Sequence, residues 1–124
     1  MFEYINPRSP TPLWGQIAAR VRVAVAAGEL RPGERLPSVR ELAKRLRVNP
    51  ATVSQAYKEL AKEGFVETRH GAGTFVKRIG QARKALERSL RASDLVQHLL
   101  EEGARSGITG EELAEAFHAL WGRR

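Results

Sequence analysis

Three groups of side chains in this sequence have chemistry to offer, and all three suit a polyanion better than a covalent reaction. Arg35, Ser38 and Arg40 gather within six residues. An arginine fork donates two parallel hydrogen bonds, a geometry that matches phosphate or the O6/N7 edge of guanine. Ala51, Thr52, Gln55, Lys58 and Lys62 follow at spacings that place them beside or opposite an apolar row on one helix. Thr52 and Gln55 can hydrogen-bond base edges, Ala51 can pack on a thymine methyl, and Lys58 suits a phosphate. Arg69, His70, Gly71, Gly73 and Thr74 form the third group. Their glycines admit close backbone approach, and a cationic tip suits a narrow minor groove. Each group also has a plainer reading. Arg35 and Arg40 can be solvated arginines partnered by Glu34 and Glu41, Lys58 and Lys62 can pair with Glu59 and Glu63, and His70 can be an ordinary loop histidine.

Other chemistries find little support. The 124 residues contain no cysteine, which excludes disulfides, thiolate metal sites and cysteine nucleophiles. His70, His98 and His118 are too few and too scattered for a convincing triad. His98 and His118, with Glu101, Glu102 and Glu115 nearby, read as half-exposed helix histidines far more readily than as ligands of a metal effector. No P-loop, G-x-S-x-G or dinucleotide fingerprint is present. We therefore expect no catalytic residues, no bound metal and no cofactor. The apolar runs fall short of the ~20 residues a membrane span needs, and the N-terminus lacks a secretory pattern. A cytoplasmic, nucleoid-associated protein with no membrane partner is expected.

Charge points the same way. The net charge is +7 and the isoelectric point about 10.5. Residues 1–80 carry 14 Lys and Arg against 7 acids, whereas residues 81–124 carry 7 of each. The whole excess sits in the first two-thirds, as a nucleic-acid-binding module with a neutral appendage requires.

The elements that must position these groups follow from periodicity. After Ser9-Pro10-Thr11-Pro12, Ile17, Val21, Ala24 and Val25 recur at helical spacing to Gly28, giving a helix over about 12–27. Residues 30–37 read as a Pro/Gly-punctuated loop. Ser38 and Glu41 make a capping box for a helix over about 38–46, whose apolar face is Val39, Leu42, Ala43 and Leu46. Asn49 caps a third helix with Pro50 at its first position; Val53, Ala56, Tyr57 and Leu60 form its apolar face and Gly64 ends it. Tyr57 lies on that face, yet its hydroxyl could still reach a phosphate. Two short helices joined by about three residues form a helix-turn-helix. Residues 65–69 and 74–77 then alternate around a glycine-bearing turn, a β-hairpin that serves as a wing.

These stretches resemble the GntR-type winged helix-turn-helix transcription regulators. The resemblance rests on residues 12–17, 28–43, Thr52-Val53, Leu60, Glu63-Gly64 and 71–76, in the family's order. It implies that the arginines matching Arg35 and Arg40 contact the DNA backbone and a base. The short tail and Asn49-Pro50-Ala51-Thr52-Val53 are similar to the YtrA-type branch. The commoner family pattern carries Ser-Arg where Asn49-Pro50 stand, so the usual arginine at the start of the recognition helix is absent.

From Gln81 the pattern is helical to about Glu102, a loop is expected over 103–107, and Thr109 with Glu112 caps a last helix. Leu86, Leu90, Val96, Leu100, Phe117 and Trp121 need a partner that two helices alone do not supply. Pairing with a second copy is the economical solution, although folding back on the winged helix is the alternative.

The expected fold is mainly α with a small β-hairpin: a winged helix-turn-helix DNA-binding domain over 1–79 and a two-helix C-terminal dimerisation tail over 80–124, with room for an effector of unknown identity. The expected DNA-binding set is Arg35, Ser38, Arg40, Asn49, Ala51, Thr52, Gln55, Tyr57, Lys58, Arg69, His70, Gly71, Gly73 and Thr74. The expected function is a homodimeric repressor reading double-stranded DNA at a palindromic operator. A sequence-indifferent architectural protein using the same basic surface is the alternative.

Overall fold

A computed structural model describes residues 5–123. Five helices and one hairpin follow in the order α1 (Leu13–Ala26), α2 (Val39–Leu46), α3 (Pro50–Lys62), β1 (Val66–Arg69), β2 (Gly73–Val76), α4 (Gln81–Arg105) and α5 (Gly110–Trp121). This is the expected architecture, mainly helical with a small antiparallel sheet. The chain divides into two compact units, one ending at Arg88 and the other beginning at Ser89.

The first unit is built around a single core. Ile17, Val21 and Val25 of α1 meet Leu42 and Ala43 of α2 and Val53, Ala56, Tyr57 and Leu60 of α3. Phe65, Val66 and Val76 bring the hairpin into the same core. The caps that set the α2–α3 geometry form as their residue types dictate. Ser38 Oγ accepts the Glu41 amide at 3.1 Å while the Glu41 carboxylate accepts the Ser38 amide. Asn49 Oδ1 accepts the Ala51 amide at 2.8 Å, with Pro50 at the first helical position. A bidentate ion pair, Arg22 Nε to Glu63 Oε1 at 2.7 Å and Arg22 Nη2 to Glu63 Oε2 at 3.1 Å, ties α1 to the end of α3.

The wing pairs Val66 with Val76, Glu67 with Phe75, Thr68 with Thr74 and Arg69 with Gly73. It does not stand alone. The segment expected as a plain loop before α2 runs alongside β2: Gly33 donates to the Val76 carbonyl, Val76 to that of Glu34, and Leu36 to that of Thr74, at 2.8–2.9 Å. Three backbone hydrogen bonds therefore lock the wing to the entrance of α2. The opening turns of α4 also belong to this unit. Ile79 is buried in the core, and the Arg83 guanidinium lies 4.3 Å from the Phe65 ring centroid.

In the second unit, the expected loop over 103–107 is corrected. Helix α4 continues to Arg105, and Gly103 is helical and buried. A Cβ there would meet Leu113 Cδ1 at 2.9 Å, so glycine is what lets the Leu113 side chain close over α4. The turn comes later, with Ile108 donating back to the Gly103 carbonyl at 2.8 Å. Thr109 and Glu112 form the expected capping box of α5.

Candidate nucleic-acid interface

Helix α3 presents two faces of opposite character. Val53, Ala56, Tyr57 and Leu60 are buried, whereas Ala51, Gln55 and Lys58 are exposed and Thr52 half-buried. The side chains of Gln55 and Lys58 make no hydrogen bond or ion pair among the described residues. Lys62 does not pair with Glu63, whose carboxylate is taken by Arg22. The outer face is thus uncommitted, and the inner face holds it rigidly.

At the start of α2, Arg35 and Arg40 are exposed. Among the described residues, neither forms an ion pair with Glu34 or Glu41: Glu34 Oε1 accepts the Arg31 amide, and Glu41 is engaged with Ser38. The hydrogen bonds from Ser38, supported by the nearby Arg35 and Arg45 charges, hold the Glu41 carboxyl below the usual carboxylate range. The Ser38 hydroxyl oxygen accepts the cap hydrogen bond from the Glu41 amide. Asn49 is exposed, with its side-chain oxygen spent on the cap.

Tyr57 is corrected. Its side chain is buried and its hydroxyl donates to the Pro37 carbonyl at 2.7 Å. The proton that would meet a phosphate is already used, tying α3 to the residue before the α2 cap. Burial pushes this phenol well above its ordinary value.

On the wing, Arg69 is exposed but folded back. Nε and Nη2 both donate to Glu67 Oε1, and Cζ lies 4.4 Å from the Phe75 ring centroid. The exposed tip is His70-Gly71-Ala72. Gly73 has φ +123°, and a Cβ on it would lie 2.7 Å from Arg35 Nε. Glycine here lets the Arg35 side chain lie against the tip end of the wing, so groups that are 38 residues apart share one surface. Thr74 is half-buried, and its carbonyl accepts Leu36.

The structure therefore joins Arg35, Ser38, Thr74 and Gly73 through the Leu36–Thr74 hydrogen bond, a long-range pairing with no signature in the local sequence. Of the tail histidines, His98 Nδ1 is 3.8 Å from Asp94 and His118 meets Phe117 edge-on. Among the described residues, no group of three or more His, Asp or Glu side chains could hold a metal ion.

Comparison with known proteins gives a consistent family signal. The model for the bacterial regulatory proteins of the gntR family matches residues 13–76. The chain is 37% identical over 111 residues to the HTH-type transcriptional repressor YtrA of Bacillus subtilis, covering 90% of this chain and 85% of that protein. It resembles the solved structure of YtrA from Sulfolobus acidocaldarius, described as a GntR-family transcription factor. The identity is 38% and the TM-score 0.59, over 73% of this chain and 96% of that one. It also resembles the AraR DNA-binding domain in complex with operator ORX1, with 25% identity and a TM-score of 0.53 over 59% of this chain and 90% of that one.

Proposed function

This chain belongs to the GntR family of bacterial regulatory proteins, and we propose that it is a sequence-specific DNA-binding transcription regulator that represses by occupying a palindromic operator as a homodimer. Residues 1–79 hold the DNA and residues 80–124 hold the second copy. The observation that carries the reading is the uncommitted outer face of α3. Base-reading Thr52 and Gln55 stand there beside Lys58, over an inner face that is fully core. Recognition helices use their N-terminal residues on base edges, which suits Ala51, Thr52 and Gln55. Arg35, Ser38, Arg40 and Asn49 serve the backbone and one base, and Arg69, His70, Gly71, Gly73 and Thr74 the adjoining groove.

Support for the dimer comes from the tail. Leu86, Leu90, Val96, Leu100, Phe117 and Trp121 are between 41% and 58% exposed. Apolar surface on that scale marks an interface. A two-fold dimer matches a two-fold operator. No described helix is long and apolar enough to cross a membrane, and the reading places the protein on DNA in the cytoplasm.

The test is selection of bound DNA from a random pool with the purified protein, followed by Gln55→Ala beside Lys58→Ala. Loss of Gln55 lowers operator binding by ~1–3 kcal/mol and barely alters binding to random DNA. Loss of Lys58 weakens both and makes the log–log salt dependence shallower by about one per contact. If the pool yields no enriched sequence, or if both variants lose operator and random DNA equally, the protein is a sequence-indifferent architectural binder instead.

A further inference from the structure

The backbone at the helix-turn-helix turn carries an unexplained cost. Among the described residues, positive φ occurs at six glycines and at one other residue, Arg47 (φ +58°). The contrast is sharpest at helix ends. The chain leaves α1 through Gly28 (φ +80°), α3 through Gly64 (φ +84°) and α4 through Gly107 (φ +75°). Only α2 leaves through a side-chain-bearing residue, Arg47 in the left-handed region at ψ +47°. An L-residue with a Cβ is strained there and glycine is not.

The backbone hydrogen bonds of the turn require the left-handed conformation, which glycine supplies without strain. Arg47 is exposed and has no hydrogen bond or ion pair from its side chain among the described residues. The turn itself is well made without it: the Val48 amide donates to the Ala43 carbonyl at 3.0 Å, and Val48 packs against the core. The following residue, Asn49, opens the recognition helix. With Val48 directed inward, Arg47 stands outward at the junction of α2 and α3, two residues before the cap of the helix that reads DNA.

We infer that Arg47 is a phosphate-binding residue of the DNA complex, an anchor on the turn that sets how α3 enters the groove. The inference rests on the DNA-binding reading above. It adds a residue that neither the motif resemblance nor the charge pattern singles out. An arginine fork there donates bidentately to a phosphate flanking the base edges read by Thr52 and Gln55. The strain is retained because the side chain is needed.

The full-length protein tests this with Arg47→Gly and Arg47→Lys, on the selected operator and on random DNA of equal length. Arg47→Gly raises the melting temperature by about 3–6 °C, because the strain is removed. It nonetheless weakens both DNAs about tenfold at ~0.15 M salt and makes the salt slope shallower by about 0.9 per subunit. Arg47→Lys keeps the wild-type slope, since the charge stays. A more stable protein that binds less tightly is the expected signature. Unchanged affinity and slope in Arg47→Gly overturn the inference. A lowered melting temperature alongside lost affinity also overturns it, because the defect is then a damaged turn. Absence of DNA binding by the wild type defeats the functional reading itself, and so is distinguishable from either.

Discussion

Replacing Tyr57 by Phe removes one oxygen and separates structure from DNA contact. The Tyr57 hydroxyl donates to the Pro37 carbonyl at 2.7 Å from a side chain that is 5% exposed. Losing a buried neutral hydrogen bond, and leaving its acceptor unpaired, costs about 1–2 kcal/mol at pH 7. The pH dependence adds a second signature. The folded-state phenol titrates well above its ordinary value of 10.0 because burial disfavours the phenolate. A group whose pKa is raised on folding contributes stability below its unfolded value and loses it as pH rises beyond. Between pH 10 and 11 the unfolded chain sheds this proton while the folded one keeps it, at about 1.4 kcal/mol per pH unit. The wild-type advantage over Tyr57→Phe therefore shrinks by about 1 kcal/mol between pH 9 and 11. Every other titrating group is common to both proteins and cancels. Urea unfolding followed by circular dichroism across that range measures it. A difference that stays constant with pH refutes the buried, proton-donating Tyr57. Affinity for operator and random DNA stays at the wild-type value; a loss of about 1 kcal/mol on both would return the hydroxyl to a phosphate.

Arg40→Ala weakens operator binding by ~1–3 kcal/mol and relaxes one operator position, read by repeating the selection with the variant; an unchanged preference removes Arg40 from the base contacts. Truncation after Arg88 leaves a folded monomer, because the first unit's core lies wholly before residue 80 and Arg83 still covers Phe65. Its operator affinity falls 10²–10⁴-fold as two half-sites cease to act together, and light scattering that still finds a dimer would locate the interface elsewhere. The Glu41 carboxyl is held low by Ser38, so its contribution is present above the ordinary carboxylate range and lost as pH falls through its folded value. Acid unfolding of Glu41→Gln is correspondingly less pH-dependent than that of the wild type. Ser38→Ala costs about 1 kcal/mol at neutral pH, measured by thermal melts.

Local physics made much of this protein legible from its residues. The capping boxes at Ser38/Glu41 and Thr109/Glu112, the Asn49-Pro50 start of α3 and the apolar rows of the first three helices are short-range patterns, and each formed where its residue types required. The family motif followed the same local elements, so the helix-turn-helix and its wing were readable together. Tertiary structure decided what depends on partners distant in sequence. Residues 33–36 read as a loop because Pro32, Gly33 and Pro37 punctuate them, yet β2 supplies hydrogen-bond partners some forty residues away. Tyr57 had a hydroxyl of open purpose until folding brought the Pro37 carbonyl to 2.7 Å. Gly103 looked like a helix stop, since glycine in isolation favours one; Leu113 packing into the missing Cβ's space kept it helical. Arg47 carries no mark in the sequence, because a backbone dihedral has no sequence signature when the residue adopting it is not glycine. Capping and periodicity act between residues a few positions apart and are written in the order of the chain. Burial, strain and the commitment of a donor arise only when separated segments meet.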